Sequence, residues 1–96
     1  MTKIRYTDLG NNQIQLEIKG HAGYNPGNDI VCASISTLVG VLARTVEKEG
    51  GYAEIEEGRA LAILPRGTIT DIVLDLFLDL VEDYPNCVQL EKINSI

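Results

Sequence analysis

Hydrophobic and polar residues alternate in the first part of the chain. In the segment 13–19, Ile14, Leu16 and Ile18 are separated by polar residues, which is the period of a strand with one buried face. The segment 1–8 also reads as a strand, and a Gly-Asn-Asn turn lies between the two segments. The pattern therefore predicts a β-hairpin at the start of the chain.

A longer amphipathic segment follows and predicts a helix. It begins at Asp29, with Asn28 or Asp29 as the N-cap, and Gly50 is the expected cap at its end. Its hydrophobic residues recur at spacings of three and four, which places them on one face. They are Val31, Ile35, Leu38, Leu42 and Val46.

A second helix is predicted from Thr68, and Pro85 stops it. Its unbroken apolar stripe, at the period of a helix, is Ile69, Ile72, Val73, Leu76, Phe77, Leu80, Val81 and Tyr84. Leu74 and Leu78 lie off this stripe, and we interpret them as extra sheet contacts or as a subunit interface. Four aspartates repeat every four residues, which favours a solvated face and leaves a docking ridge for a basic protein as the alternative: Asp71, Asp75, Asp79 and Asp83.

Short strands complete the pattern. The segments 52–57 and 59–65 predict a second hairpin, and the segment 87–93 predicts a final strand. The resulting order is β-β-α-β-β-α-β. It indicates a single α+β domain over residues 1–96, in which two helices pack on one mostly antiparallel sheet.

Composition narrows the function classes. The chain has 96 residues and a net charge of −6, with its basic residues scattered, which argues against direct binding of nucleic acid. We find no uninterrupted apolar run of roughly 18 residues and no signal-peptide pattern, so we expect no membrane partner and a cytoplasmic location. Two cysteines and one histidine lack metal-ligand spacing, so neither a metal nor a cofactor is expected.

The stretch GHAGYNPGNDIVCASIS, residues 20–36, carries the candidate chemistry. His21 follows the second strand, and Cys32 lies in the first turn of the next helix, so both are expected at the same rim of the sheet. A helix N-terminus has a partial positive charge and free N–H groups, and a nearby imidazole can take the thiol proton. This arrangement suits a cysteine nucleophile with a histidine base. Asp29 could cap the helix or orient the imidazole, and Ser36 lies one turn after Cys32.

Other interpretations of these residues stay open. Taken separately, His21 is more often a surface residue, Cys32 a core residue, and the glycines of the loop simple turn residues. The chain could be a non-catalytic module that binds a peptide or the ribosome through a sheet edge, or a thiol redox sensor that uses Cys32. Cys87, in the predicted last strand, is interpreted as a structural thiol.

GHAGY followed by G-x-DIVCA-x-x-S resembles the motif of the ribosomal-processing cysteine proteases, the Prp-type family. The resemblance implies that His21 and Cys32 are catalytic and that Asp29 and Ser36 support them. It implies a substrate-binding loop formed by Gly20, Ala22, Gly23, Tyr24 and Gly27. It further implies an endopeptidase that removes the N-terminal extension of the bacterial large-subunit ribosomal protein number twenty-seven, and a homodimer.

Overall fold

Five strands and two helices make up the fold. The computed structural model describes residues 1–20 and 29–94. The elements are β1 (Thr2–Gly10), β2 (Gln13–Lys19), α1 (Asp29–Glu49), β3 (Tyr52–Glu56), β4 (Arg59–Pro65), α2 (Thr68–Asp83) and β5 (Val88–Asn94). The predicted order of elements is confirmed, and β2, α1 and β4 have the predicted bounds.

The strands form one sheet in the order β3-β4-β2-β1-β5. The pairs β1–β2, β2–β4 and β3–β4 are antiparallel, whereas β5 lies parallel to β1, with Thr2 opposite Val88. The sheet is therefore mixed but mostly antiparallel, in agreement with the α+β prediction. β1 extends to Gly10, two residues beyond the predicted end, because Asn11 and Asn12 adopt positive φ and close the hairpin tightly.

One face of the sheet carries the hydrophobic core. Ile4, Ile14, Leu16 and Ile18 point from β1 and β2 toward the helices and are buried. The helix α1 contributes its predicted residues to this core, since Val31, Ile35, Leu38 and Leu42 are buried and Val46 packs against them. The alternation read from the sequence therefore identifies the correct face of both elements.

The apolar stripe of α2 is wider than the surface that the sheet and α1 cover. Val73 and Phe77 are buried, and Leu80 and Val81 pack partly against the core. By contrast, the outer side chains of the predicted stripe are exposed: Ile69, Ile72, Leu76 and Tyr84. The outer part of the stripe is uncovered because the sheet covers only one side of the helix.

The helix α1 is long and apolar enough, by length and composition alone, to cross a membrane. Its segment Ile30–Glu49 has a mean hydropathy of 1.6. This differs from the expectation that no segment of the chain is long and apolar enough to span a membrane. The stripe from Val31 to Leu42 packs on the sheet, as the apolar face of a core helix does. A helix of this kind passes the same test, so the finding is weak support for a membrane span.

Candidate active site

The end of β2 is the first structural component of the candidate site. Gly20 follows β2 with φ = +88°, and its N–H donates a hydrogen bond to the carbonyl oxygen of Gly58 at 2.8 Å. A Cβ atom at this position would lie 2.8 Å from the carbonyl oxygen of Met1. A side chain would therefore clash with the neighbouring strand in addition to straining the backbone. Glycine at this position lets the chain leave the sheet beside Met1 and Gly58.

The beginning of α1 is the second component. Asp29 is the first residue of the helix, and Cys32 lies in its first turn. The Cys32 side chain is partly buried and packs against the core from the edge of the helix. The first N–H groups of a helix have no acceptor within it, so hydrogen-bond donors are available beside this thiol. Cys32 therefore stands at the boundary between core and surface.

The remaining predicted site residues differ in what the structure says of them. Ser36 is exposed one turn after Cys32, as the helical spacing predicts. His21 and the loop residues Ala22, Gly23, Tyr24 and Gly27 lie outside the described residues, and so does Asn28. The pairing of His21 with Cys32 therefore stays a prediction.

The second cysteine lies at the same end of the sheet as Gly20, on the far side of β1. Cys87 is buried in the turn between α2 and β5, one residue before the strand in which the sequence placed it. Its N–H donates to the carbonyl oxygen of Tyr84 at 2.9 Å, and its own carbonyl oxygen accepts a hydrogen bond from the Thr2 N–H at 2.9 Å. The backbone of Cys87 thus connects α2 to β1, which fits a structural thiol.

A groove of about 420 Å³ opens between α1 and the β3–β4 hairpin. Gly20 and Ser36 both line it, so the groove adjoins the end of β2 and the segment of α1 that follows Cys32. Ile18, Val39 and Ala60 are among its apolar lining, and the exposed Ile55 belongs to its β3 side. No local sequence motif identifies this groove, because its walls come from α1 and the β3–β4 hairpin, which are separate along the chain.

The charged residues near the groove are paired on the face of the sheet opposite the helices. Arg59 forms ion pairs with Glu17 at 3.2 Å, with Glu56 at 3.4 Å and with Glu54 at 3.5 Å. Desolvation lowers the pKa of Arg59, but the hydrogen bond to Glu17 and the nearby carboxylates outweigh it and raise the pKa above its usual value. Arg59 consequently stays charged, and its guanidinium is already occupied by carboxylate partners.

Metal binding finds no support in the part of the chain that the structure describes. Across residues 1–20 and 29–94, no group of three His, Cys, Asp or Glu side chains is placed to hold a metal ion.

A family comparison connects this geometry to an activity. The model of the family described as cysteine protease Prp matches residues 1–89, which includes both predicted site segments and four of the five strands in full. The chain belongs to the Prp cysteine protease family. It is therefore a cysteine protease, and of the open interpretations the non-catalytic module is excluded.

Solved structures show the Prp fold independently. The chain superposes on SMU.848 from Streptococcus mutans with a TM-score of 0.78 and 20% identity, covering 99% of each chain. It superposes on the ribosomal processing protease Prp from S. aureus with a TM-score of 0.73 and 18% identity, covering 97% of this chain and 100% of that one. The S. aureus protein was crystallised with a substrate peptide and with a covalently linked product peptide. No curated protein is significantly similar in sequence.

Proposed function

We propose that this chain is an endopeptidase that removes the N-terminal extension of the bacterial large-subunit ribosomal protein number twenty-seven, using a dyad of Cys32 and His21. The observation that carries the proposal is the match of the Prp family over residues 1–89, because the motif residues 20–36 lie inside it. The position of Cys32 in the first turn of α1 supports it, since that place offers the thiol both partial exposure and N–H donors.

The mechanism follows from the chemistry of these groups. His21 takes the proton of the Cys32 thiol, and the thiolate attacks the carbonyl carbon of the scissile peptide bond. The tetrahedral oxyanion accepts hydrogen bonds from N–H groups at the start of α1. As the C–N bond breaks, His21 gives its proton to the leaving amine, and a thioester with Cys32 remains. Water, deprotonated by His21, hydrolyses the thioester and regenerates the thiol.

Two further residues support the dyad in this proposal. Asp29, as the first residue of α1, accepts a hydrogen bond from the His21 imidazole and fixes its tautomer, or caps the helix. Ser36 stands exposed one turn after Cys32, where its hydroxyl can contact a bound peptide. We also place the activity in the cytoplasm, where ribosomal proteins are made.

The substrate is proposed from the S. aureus neighbour, whose name describes it as a ribosomal processing protease. The test uses the extended ribosomal protein of the same organism, incubated with the enzyme and followed by intact-mass spectrometry. We expect one cut that releases the N-terminal extension, and a mass adduct on Cys32 while the reaction runs. The mature protein without its extension is the matched control and should stay whole. An extended protein that keeps its full mass would contradict the proposed substrate.

The helical face offers a surface for a second copy of the chain. Ile69, Ile72 and Leu76 are exposed on α2, and Val41 is exposed on the neighbouring face of α1. These side chains, rather than Leu74 and Leu78, provide the apolar surface for the homodimer that we propose; Leu74 is only partly exposed. A small domain gains stability by covering such a surface.

The charges at the two ends of this surface are complementary. Arg44 and Lys48 lie beside Ile69, while Asp79 and Asp83 lie beside Leu76. A two-fold axis through the apolar centre would bring the basic end of one protomer to the acidic end of its partner. Among the described residues, Asp79 and Asp83 form no ion pair within the chain, so they are available for this contact.

We expect the protein to sediment as a dimer at about tens of micromolar, where association depends on concentration. Ile72→Gln should shift it toward the monomer, because it places an amide in the apolar centre of the interface. Leu78→Gln is the matched control, since Leu78 lies on the opposite flank of α2 and its replacement should leave the dimer intact. A wild-type protein that is monomeric at these concentrations would refute the proposed dimer. A variant Ile72→Gln that remains dimeric would refute the proposed position of the interface on α2.

A further inference from the structure

The groove between α1 and the β3–β4 hairpin lies on the same flank of α1 as Cys32. Cys32, Ser36, Val39 and Ala43 follow one another at spacings of four, three and four, which aligns them along one side of the helix. Ser36 and Val39 line the groove directly. A peptide whose scissile bond is held at Cys32 can therefore continue along α1 into this groove.

The lining of the groove suits an apolar side chain. Its inner part consists of Ile18, Ile35, Val39 and Ala60, and small residues leave room in front of the sheet. The exposed wall is Ile55, which faces the helix side of the sheet but retains 58% of its accessible surface. Ile55 pairs with the small Ala60 on the inner strand, so its cross-strand partner leaves it uncovered. An occupant of the groove would remove this apolar surface from water.

The polar groups of the groove do not favour a charged occupant. Glu56 and Arg59 are the charged residues of the lining, but they alternate with Ile55 and Ala60, so their side chains extend to the opposite face of the sheet, where they pair with each other at 3.4 Å. A charged side chain would have to be desolvated without finding a free partner of opposite charge, which is costly. The chemistry of the groove thus selects for size and apolarity.

Helix geometry gives the position of the occupant along the peptide. Ser36 lies about 6 Å and Gly40 about 12 Å beyond Cys32 along the helix axis, at 1.5 Å per residue. An extended peptide advances about 3.3 Å per residue. Both Ser36 and Gly40 line the groove, so the distance corresponds to the second to fourth residue from the cleaved bond.

We propose that this groove is the specificity pocket of the protease. It binds a large apolar side chain at one of the second to fourth positions from the scissile bond, with Ile55 as a specificity-determining residue. This inference rests on the proposed peptidase activity but not on the identity of the ribosomal substrate.

The test uses a library of peptides derived from a whole bacterial proteome, with the cleaved bonds read by mass spectrometry. We expect one position within this distance of the cut to be enriched in large apolar residues. At that position, a peptide with Leu should have a kcat/KM about tenfold or more above that of the same peptide with Ala, since a single methylene in a pocket already gives about this discrimination. Asp at that position should be the poorest.

Ile55→Thr should reduce the Leu-to-Ala ratio several-fold, because it keeps a β-branched side chain but removes apolar surface from the groove. Ile63→Thr is the matched control on the paired strand, since Ile63 lies opposite Tyr52 on the other face of the sheet and should leave the ratio unchanged. Cleavage without an apolar preference at these positions, or an equal loss of preference in both variants, refutes the pocket. A library that contains no cleaved peptide refutes the peptidase activity itself.

Discussion

Replacing Cys32 with Ala is expected to reduce cleavage of the extended ribosomal protein by about 10⁴-fold or more, because the variant has no atom that can form the thioester. His21→Ala should cost about 10²- to 10⁴-fold, the usual contribution of a general base. Rates measured by intact mass under single-turnover conditions give both values. The order of the two losses reflects their roles as nucleophile and base.

Cys87→Ala is the matched control for this experiment, because it makes the same substitution in a thiol buried in the turn before β5. It should cleave at close to the wild-type rate. Circular dichroism on every variant separates lost chemistry from lost folding. A Cys32→Ala protein that still cuts at the wild-type rate would falsify the assignment of Cys32 as the nucleophile. A His21→Ala protein that cuts at the wild-type rate would contradict the assignment of His21 as the general base.

Phe77→Ala is expected to produce the largest loss of stability. Phe77 is fully buried in α2 between α1 and the sheet, and truncating such a side chain costs about 3–5 kcal/mol through lost transfer energy and the cavity that remains. Domains of this size are stable by only about 5–15 kcal/mol. Urea unfolding at a fixed protein concentration should therefore show a free energy of unfolding reduced by a large fraction.

Leu78→Ala, one residue further along the same helix, provides the comparison. Its side chain is exposed, so the free energy of unfolding should fall by less than about 1 kcal/mol. Similar losses in the two variants would mean that α2 does not pack with Phe77 inward. Such a result would also contradict the exposure of Ile69, Ile72 and Leu76, on which the proposed dimer surface depends.

Local sequence patterns determined most of the elements but not their arrangement. The alternation from Ile14 to Ile18 predicted β2 with its exact bounds, and the spacing from Val31 to Leu42 predicted the buried face of α1. The order of the strands and the parallel pairing of β5 with β1 were not predicted. They depend on contacts between distant segments, which a local period does not encode.

The site was predicted by a different kind of information. Cys32 and Ser36 have the predicted helical relationship, because the spacing of four is local to α1. The role of Cys32 came from its resemblance to a family motif, which the family match supports. The sequence did not indicate a role for Ile55, because Ile55 contributes to the groove only when β3 lies beside α1. It also did not indicate which apolar residues of α2 are exposed, because the width of an apolar stripe does not show how much of it other elements cover.

The parallel pair at the edge of the sheet has a consequence for biosynthesis. Thr2 pairs with Val88 and Asp8 with Asn94, so β1 leaves the ribosome long before its partner β5. At about 5–20 residues per second, β1 waits for roughly 4–17 seconds with one row of backbone groups unpaired. An open strand edge of this kind readily pairs with other chains. Translation speed over the part of the message that follows β1 therefore sets how long the nascent chain stays exposed to aggregation.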